Sequence, residues 1–158
     1  MTSLILVTIL SLGAARADTC TDLSEQRLVA ARALLDESIE TAAIDRSSIV
    51  ERARILLERT ADEDPACKAA KSLHKQASRM LKEAEPISLA ASADDALMHA
   101  LVRVEALEQA STPDREEIET VRFMLAELGS HFPGDERVDA LVRRVLAVQQ
   151  GADPRGEK

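Results

Sequence analysis

Between Ala66 and Lys82 the chain carries Lys68, Lys71, Lys75, Arg79 and Lys82, and no acid. At about 100° per residue these five cations gather on one side of a helix, opposite its apolar stripe, and form a basic ridge. Clustered cations without competing carboxylates can dock an acidic protein or an anionic envelope polymer. The competing reading is a solvated face paired with acidic neighbours, because Glu83 to Ser111 holds six acids against Arg103 alone. Exposed pairs of that kind contribute only about 0–1 kcal/mol each.

Other reactive types are sparse. Two cysteines, Cys20 and Cys67, could be a reactive or metal-binding pair, but a disulfide is the preferred reading in a chain expected to reach an oxidising compartment. His74 follows Cys67 by about two helical turns, too far to share a metal shell. Asp95 and His99, four apart, could form one edge of a zinc site, and Met98 beside His99 is a weak hint of copper. They lack a third ligand in sequence, so a surface ion pair is the preferred reading, and His131 beside Pro133 reads as polar loop. Glu116, Glu117 and Glu119 crowd a helix start, where acids stabilise the helix dipole without doing chemistry. No carboxylate is marked for an apolar pocket and no base for a serine nucleophile is identifiable, so no enzyme and no cofactor are expected. After the first 17 residues no glycine occurs before Gly129, which rules out phosphate loops and nucleophile elbows in that stretch.

Leu4 to Leu12, "LILVTILSL", is apolar but too short to cross a bilayer, and Ala15 and Ala17 supply small residues at −3 and −1. Residues 1–17 therefore read as a secretory signal cut after Ala17, giving a periplasmic or secreted product without a membrane span. Asp18 and Thr19 directly before Cys20 argue against a lipid anchor there. The net charge of −8 makes nucleic acid a poor partner, and the absence of Trp and Tyr argues against stacking platforms.

The elements that must position these groups are all helical. "DLSE" starts the first, with Asp22 as cap and Glu25 reaching back. Its apolar face is Leu28, Ala31, Leu35, Ile39 and Ala42. The second opens at "DRSS" and carries Ile49, Ala53, Leu56, Leu57 and Thr60. "EDPAC" opens the third, with Asp64 as cap and Pro65 in the first turn. Its stripe is Ala66, Ala70, Leu73, Ala77, Met80, Leu81 and Ala84, and Pro86 is expected to stop it. Ser92 caps a fourth helix that buries Leu97, Leu101, Val104 and Leu107. In "STPDREE" Thr112 caps a fifth, with the stripe Ile118, Val121, Leu125 and Leu128, and Gly129 is expected to end it in the left-handed region. Asp135 opens a sixth built on Val138, Leu141, Val142, Val145 and Val148, closed by Gly151. Residues 18–150 thus form one domain of about six antiparallel helices, with 151–158 as a tail. Cys20 and Cys67 then fall at the same end of the first and third helices, so a bridge would pin the first three together.

Ala53, Leu57, Thr60 and Pro65, and more loosely Val121, Leu125, Leu128 and Pro133, fit a small–large–small–proline pattern. In this the chain resembles the tetratricopeptide-repeat family, and "HFPGDERV" looks like a junction between two such repeats. Pro65 and Pro133 stand apart by twice the family's period of about 34 residues, with the midpoint, His99, inside a helix. The resemblance implies stacked helical hairpins, an α-solenoid or a small bundle, that bind another protein. The expected function is an exported, non-catalytic interaction module of the bacterial envelope, whose partner is another envelope or secreted protein. The alternative is capture of an anionic ligand or polymer on Lys68, Lys71, Lys75, Arg79 and Lys82.

Overall fold

The computed structural model describes residues 20–40, 43 and 45–152. The expected signal segment and the last six residues lie outside them. Six helices follow in order: α1 (Asp22–Ile39), α2 (Arg46–Glu63), α3 (Lys68–Ser88), α4 (Ala93–Gln109), α5 (Arg115–His131) and α6 (Glu136–Ala152). The fold is all-α, as the periodicity predicts, with no strand among the described residues.

Contacts between helix ends fix the direction of each helix. Cys20, just before α1, is bonded to Cys67 at the start of α3, with the two Cα atoms 4.5 Å apart. The Thr21 amide donates to Asp64 at the end of α2 over 2.9 Å, so one end gathers the starts of α1 and α3 and the end of α2. At the opposite end Arg46, which opens α2, donates to the Ser38 and Glu40 carbonyls at the end of α1. α5 runs parallel to α3, with Ser72 and Arg79 meeting Glu116 near one end and Ser88 meeting Glu127 near the other. Two bridges, Arg137–Asp94 and Arg144–Glu108, set α6 parallel to α4. The odd helices therefore run one way and the even helices the other, as short connections require.

Two cores form. Ala31 and Leu35 of α1, Val50, Ala53 and Leu57 of α2, and Ala77, Met80 and Ala84 of α3 make the first, which also receives Phe123 from α5. α4, α5 and α6 make the second around Ala100, Val104, Val121, Met124, Leu125, Leu128 and Val145, and it receives Ile87 from α3. Each core thus contains one large side chain supplied by the other half, and burying such a side chain contributes about 1.5–3 kcal/mol.

Several helix ends differ from expectation. Thr21, not Asp22, caps α1, accepting the Ser24 amide. α3 begins at Lys68 with Cys67 at the cap, so Pro65 and Ala66 form a turn and Ala66 is exposed. Asp64 lies three residues before that cap and accepts from the Thr21 amide instead. Pro86 does not stop α3: it lies in the last turn, where its missing N–H idles only the Lys82 carbonyl on an exposed face. The extra residues deliver Ile87 to the second core. Asp114, not Thr112, caps α5, accepting the Glu117 amide at 2.6 Å, because a carboxylate at that position meets the helix dipole more strongly than a hydroxyl. Gly129 is helical, α5 continues to His131, and the left-handed glycine is Gly134 in the following turn, with φ of 81°. His131 thus ends a helix rather than lying in a loop. α6 runs through Gly151 to Ala152, so the expected tail starts later than residue 151.

Candidate functional site

The ridge emerges with its five residues on α3 and unequal surroundings. Lys68, Lys71, Lys75 and Lys82 are exposed, whereas Arg79 is half-buried. Arg79 lies 3.3 Å from Glu116 of α5, which also accepts from the Ser72 hydroxyl at 3.1 Å. Lys71 donates to the Pro65 carbonyl over 2.8 Å. Lys75 and Lys82 meet no carboxylate among the described residues. The ridge is thus neutralised along its α5 edge and open along the other.

The acids dismissed as dipole partners include a buried one. α5 presents three sides to its surroundings. Ile118, Val121, Leu125 and Leu128 face the second core. Glu119, Phe123 and Glu127, spaced by four, face the first three helices. Arg115, Arg122 and Ala126 occupy the narrow strip between those sides, on the helix spacing alone.

The Glu119 carboxylate is buried where α1, α3 and α5 meet. It accepts from Arg32 of α1, from the Gln76 amide of α3 at 2.7 Å and from Arg115 Nε at 2.8 Å. Burial alone would raise its pKa, but Arg115, Gln76 and Arg32 outweigh it and hold the group below the usual carboxylate range. At the other end Glu127, also buried, accepts from Ser88 at 3.4 Å and pairs with His131 over 3.2 Å. Arg46 stands close by, with Nε donating to the Ser130 hydroxyl at 3.1 Å. Burial lowers the Arg46 pKa, opposed by the charge of Glu127. Phe123 is therefore flanked on α5 by two buried carboxylates that reach into the first three helices.

A cleft of about 600 Å³ opens beside this junction. Asp36, Ile39 and Glu40 at the end of α1 form one wall, and Gln149 of α6 lies on the other. The floor is α5 and its approach, with Pro113, Arg115, Ile118, Glu119 and Arg122. Such a volume lies within the range of small-ligand and peptide-side-chain pockets, roughly 300–1,000 Å³. Asp36 is held 3.4 Å from Arg32, and Glu119 is saturated as described. Arg122, Glu40 and Gln149 engage no side chain among the described residues.

The histidines do not converge. The Asp95 carboxylate stays with the helix start, 2.8 Å from the Ser92 hydroxyl, and His99 Nε2 faces Glu83 at 3.9 Å. Among the described residues no group of three His, Cys, Asp or Glu gathers that could hold a metal ion. No helix there is long and apolar enough to cross a membrane.

Sequence reasoning did not find the cleft. For the buried junction beside it one signal was available, Glu119–Phe123–Glu127, a second stripe on α5 away from Ile118, Val121, Leu125 and Leu128. A comparison with known proteins finds no matching family model, no matching curated protein and no matching solved structure.

Proposed function

We propose that this chain is an exported, non-catalytic helical interaction module that binds another envelope or secreted protein in the cleft between α1, α5 and α6. The observation that carries this reading is the cleft itself, a groove at the junction of two cores with apolar, cationic, amide and carboxylate groups along it. The Cys20–Cys67 bond and the leader-like start support export into an oxidising compartment. Opposed odd and even helices suit the stacked-hairpin arrangement that the resemblance to tetratricopeptide repeats implies.

A second reading, capture of an anionic ligand or polymer on α3, is favoured by the exposure of Lys75 and Lys82 without carboxylate partners among the described residues. A photo-reactive residue placed at Glu40 on the cleft wall in one variant and at Lys75 in another, expressed in the source cell, separates the two. A discrete protein adduct from position 40 alone is expected. Adducts from position 75 alone would transfer the function to the ridge, and salt would then weaken binding steeply.

A further inference from the structure

Arg122 differs from the other shielded arginines among the described residues. Arg27, Arg32, Arg54, Arg79, Arg103 and Arg144 are half-buried and each meets a carboxylate, and buried Arg46 meets backbone carbonyls. Arg122 is also half-buried, yet it meets no carboxylate among the described residues, in a chain where acids outnumber bases by 28 to 20. A guanidinium carries five donors, and no nitrogen of Arg122 is sealed from water, so its unpaired donors are open to a ligand. Gln149, half-buried on α6 and bordering the same cleft, also has its amide donors free among the described residues. Two unused donor groups from two helices therefore border one cavity.

We infer that Arg122 and Gln149 bind the terminal carboxylate of a partner polypeptide that ends in an apolar residue. This deepens the groove reading above and rests on it. Ile118 precedes Arg122 by one turn on α5, so the guanidinium and an apolar contact lie next to each other. Ile39 and Pro113 extend the apolar lining. A C-terminal leucine or valine carries a carboxylate and an apolar side chain on one residue, matching that juxtaposition. Asp36 and Glu40 on the facing wall repel a polyanion, which selects a single carboxylate over a phosphate cluster or an acidic run. Arg fits this role because its planar fork takes a carboxylate through two parallel hydrogen bonds.

The test uses the oxidised protein from residue 18 onward and two pools of acetylated hexapeptides of random sequence ending in leucine, one with a free carboxylate and one amidated. The probe is the side-chain amide NMR signal of Gln149. The free-acid pool is expected to shift it saturably. The amidated pool should bind at least about tenfold more weakly, as loss of a charge-assisted bidentate pair implies. Arg122→Gln should remove the difference between the pools, whereas Lys75→Glu should leave it intact. Equal shifts from both pools would overturn the carboxylate inference while leaving the groove as a docking site. Shifts from neither pool would also overturn it, and the crosslink from position 40 then decides whether the groove reading falls too. An Arg122-dependent response to octanoate without one to peptide would replace the polypeptide by a small amphipathic acid.

Discussion

The two halves of this molecule solve the same packing problem with different means. α1, α2 and α3 pack around small residues, with Ala31, Ala53, Ala77 and Ala84 at the contacts, and depend on additions: a disulfide, a borrowed phenylalanine and two polar clamps. α4, α5 and α6 pack around Val104, Met124, Leu125, Leu128 and Val145 and have no covalent link. Alanine contacts bring helix axes close but bury little apolar area per residue, so the first half gains less from transfer out of water. A half with the thinner core is the one in which a cross-link contributes most. The cleft lies where these unlike halves meet, floored by α5, which supplies side chains to both.

The first half depends most heavily on Phe123. Phe123→Ala empties the centre of the first core and should cost about 3–5 kcal/mol, measured by chemical denaturation. Ile87→Ala, the reciprocal loan, should cost about 2–4 kcal/mol and act first on α4–α6. Equal loss of protection in both halves for both variants would mean that the two cores are a single cooperative unit.

Removing the bridge with Cys20→Ser and Cys67→Ser should cost about 2–4 kcal/mol, felt in α1 and α2. Next comes the clamp at Glu119. Glu119→Gln should cost about 2 kcal/mol, less than the roughly 3–5 for a wholly buried pair because Arg115 is exposed. The pH dependence has a defined sign. The folded state holds the Glu119 pKa below its unfolded value, so its contribution is complete above the ordinary carboxylate range and is lost as pH falls through the folded value. Denaturation midpoints of the native protein should therefore fall on acidification more steeply than those of Glu119→Gln. Parallel slopes would remove Glu119 from the clamp.

The smallest effects concern two glycines. A Cβ on Gly129 would meet Val138 Cγ1 at 3.7 Å, an ordinary contact, so Gly129→Ala should stabilise by about 0.5–1 kcal/mol. Gly134→Ala should destabilise by about 1 kcal/mol, because φ of 81° suits glycine alone. Thermal melts of the pair distinguish the two.

The helices, their order and the Cys20–Cys67 bond were legible because apolar residues recur at three- and four-residue steps and short turns reverse the chain. Stripe residues such as Leu35, Ala53, Leu57, Ala77, Val104, Leu125 and Val145 are buried as read. Helix ends were less legible. Thr112 and Asp114 both look like caps, as do Asp22 and Thr21, and only competition between neighbours chooses one. Pro86 misled because a proline in the last turn of a helix costs far less than one in its middle. The ridge was legible because it lies on one helix. The cleft was not, because Ile39, Arg122 and Gln149 come from three helices and no local pattern marks their meeting. Glu119 was read only as a helix-dipole partner and Glu127 was not singled out, because a charge on a helix carries no sign of the arginine that will cover it.

The claim that two unlike cores share α5 is tested most directly by hydrogen–deuterium exchange of the oxidised and reduced protein, side by side. Reduction should raise exchange in α1 and α2, leave α4 and α6 protected, and affect α5 chiefly around Phe123. Uniform loss of protection across all six helices, or loss beginning in α4 and α6, would contradict it.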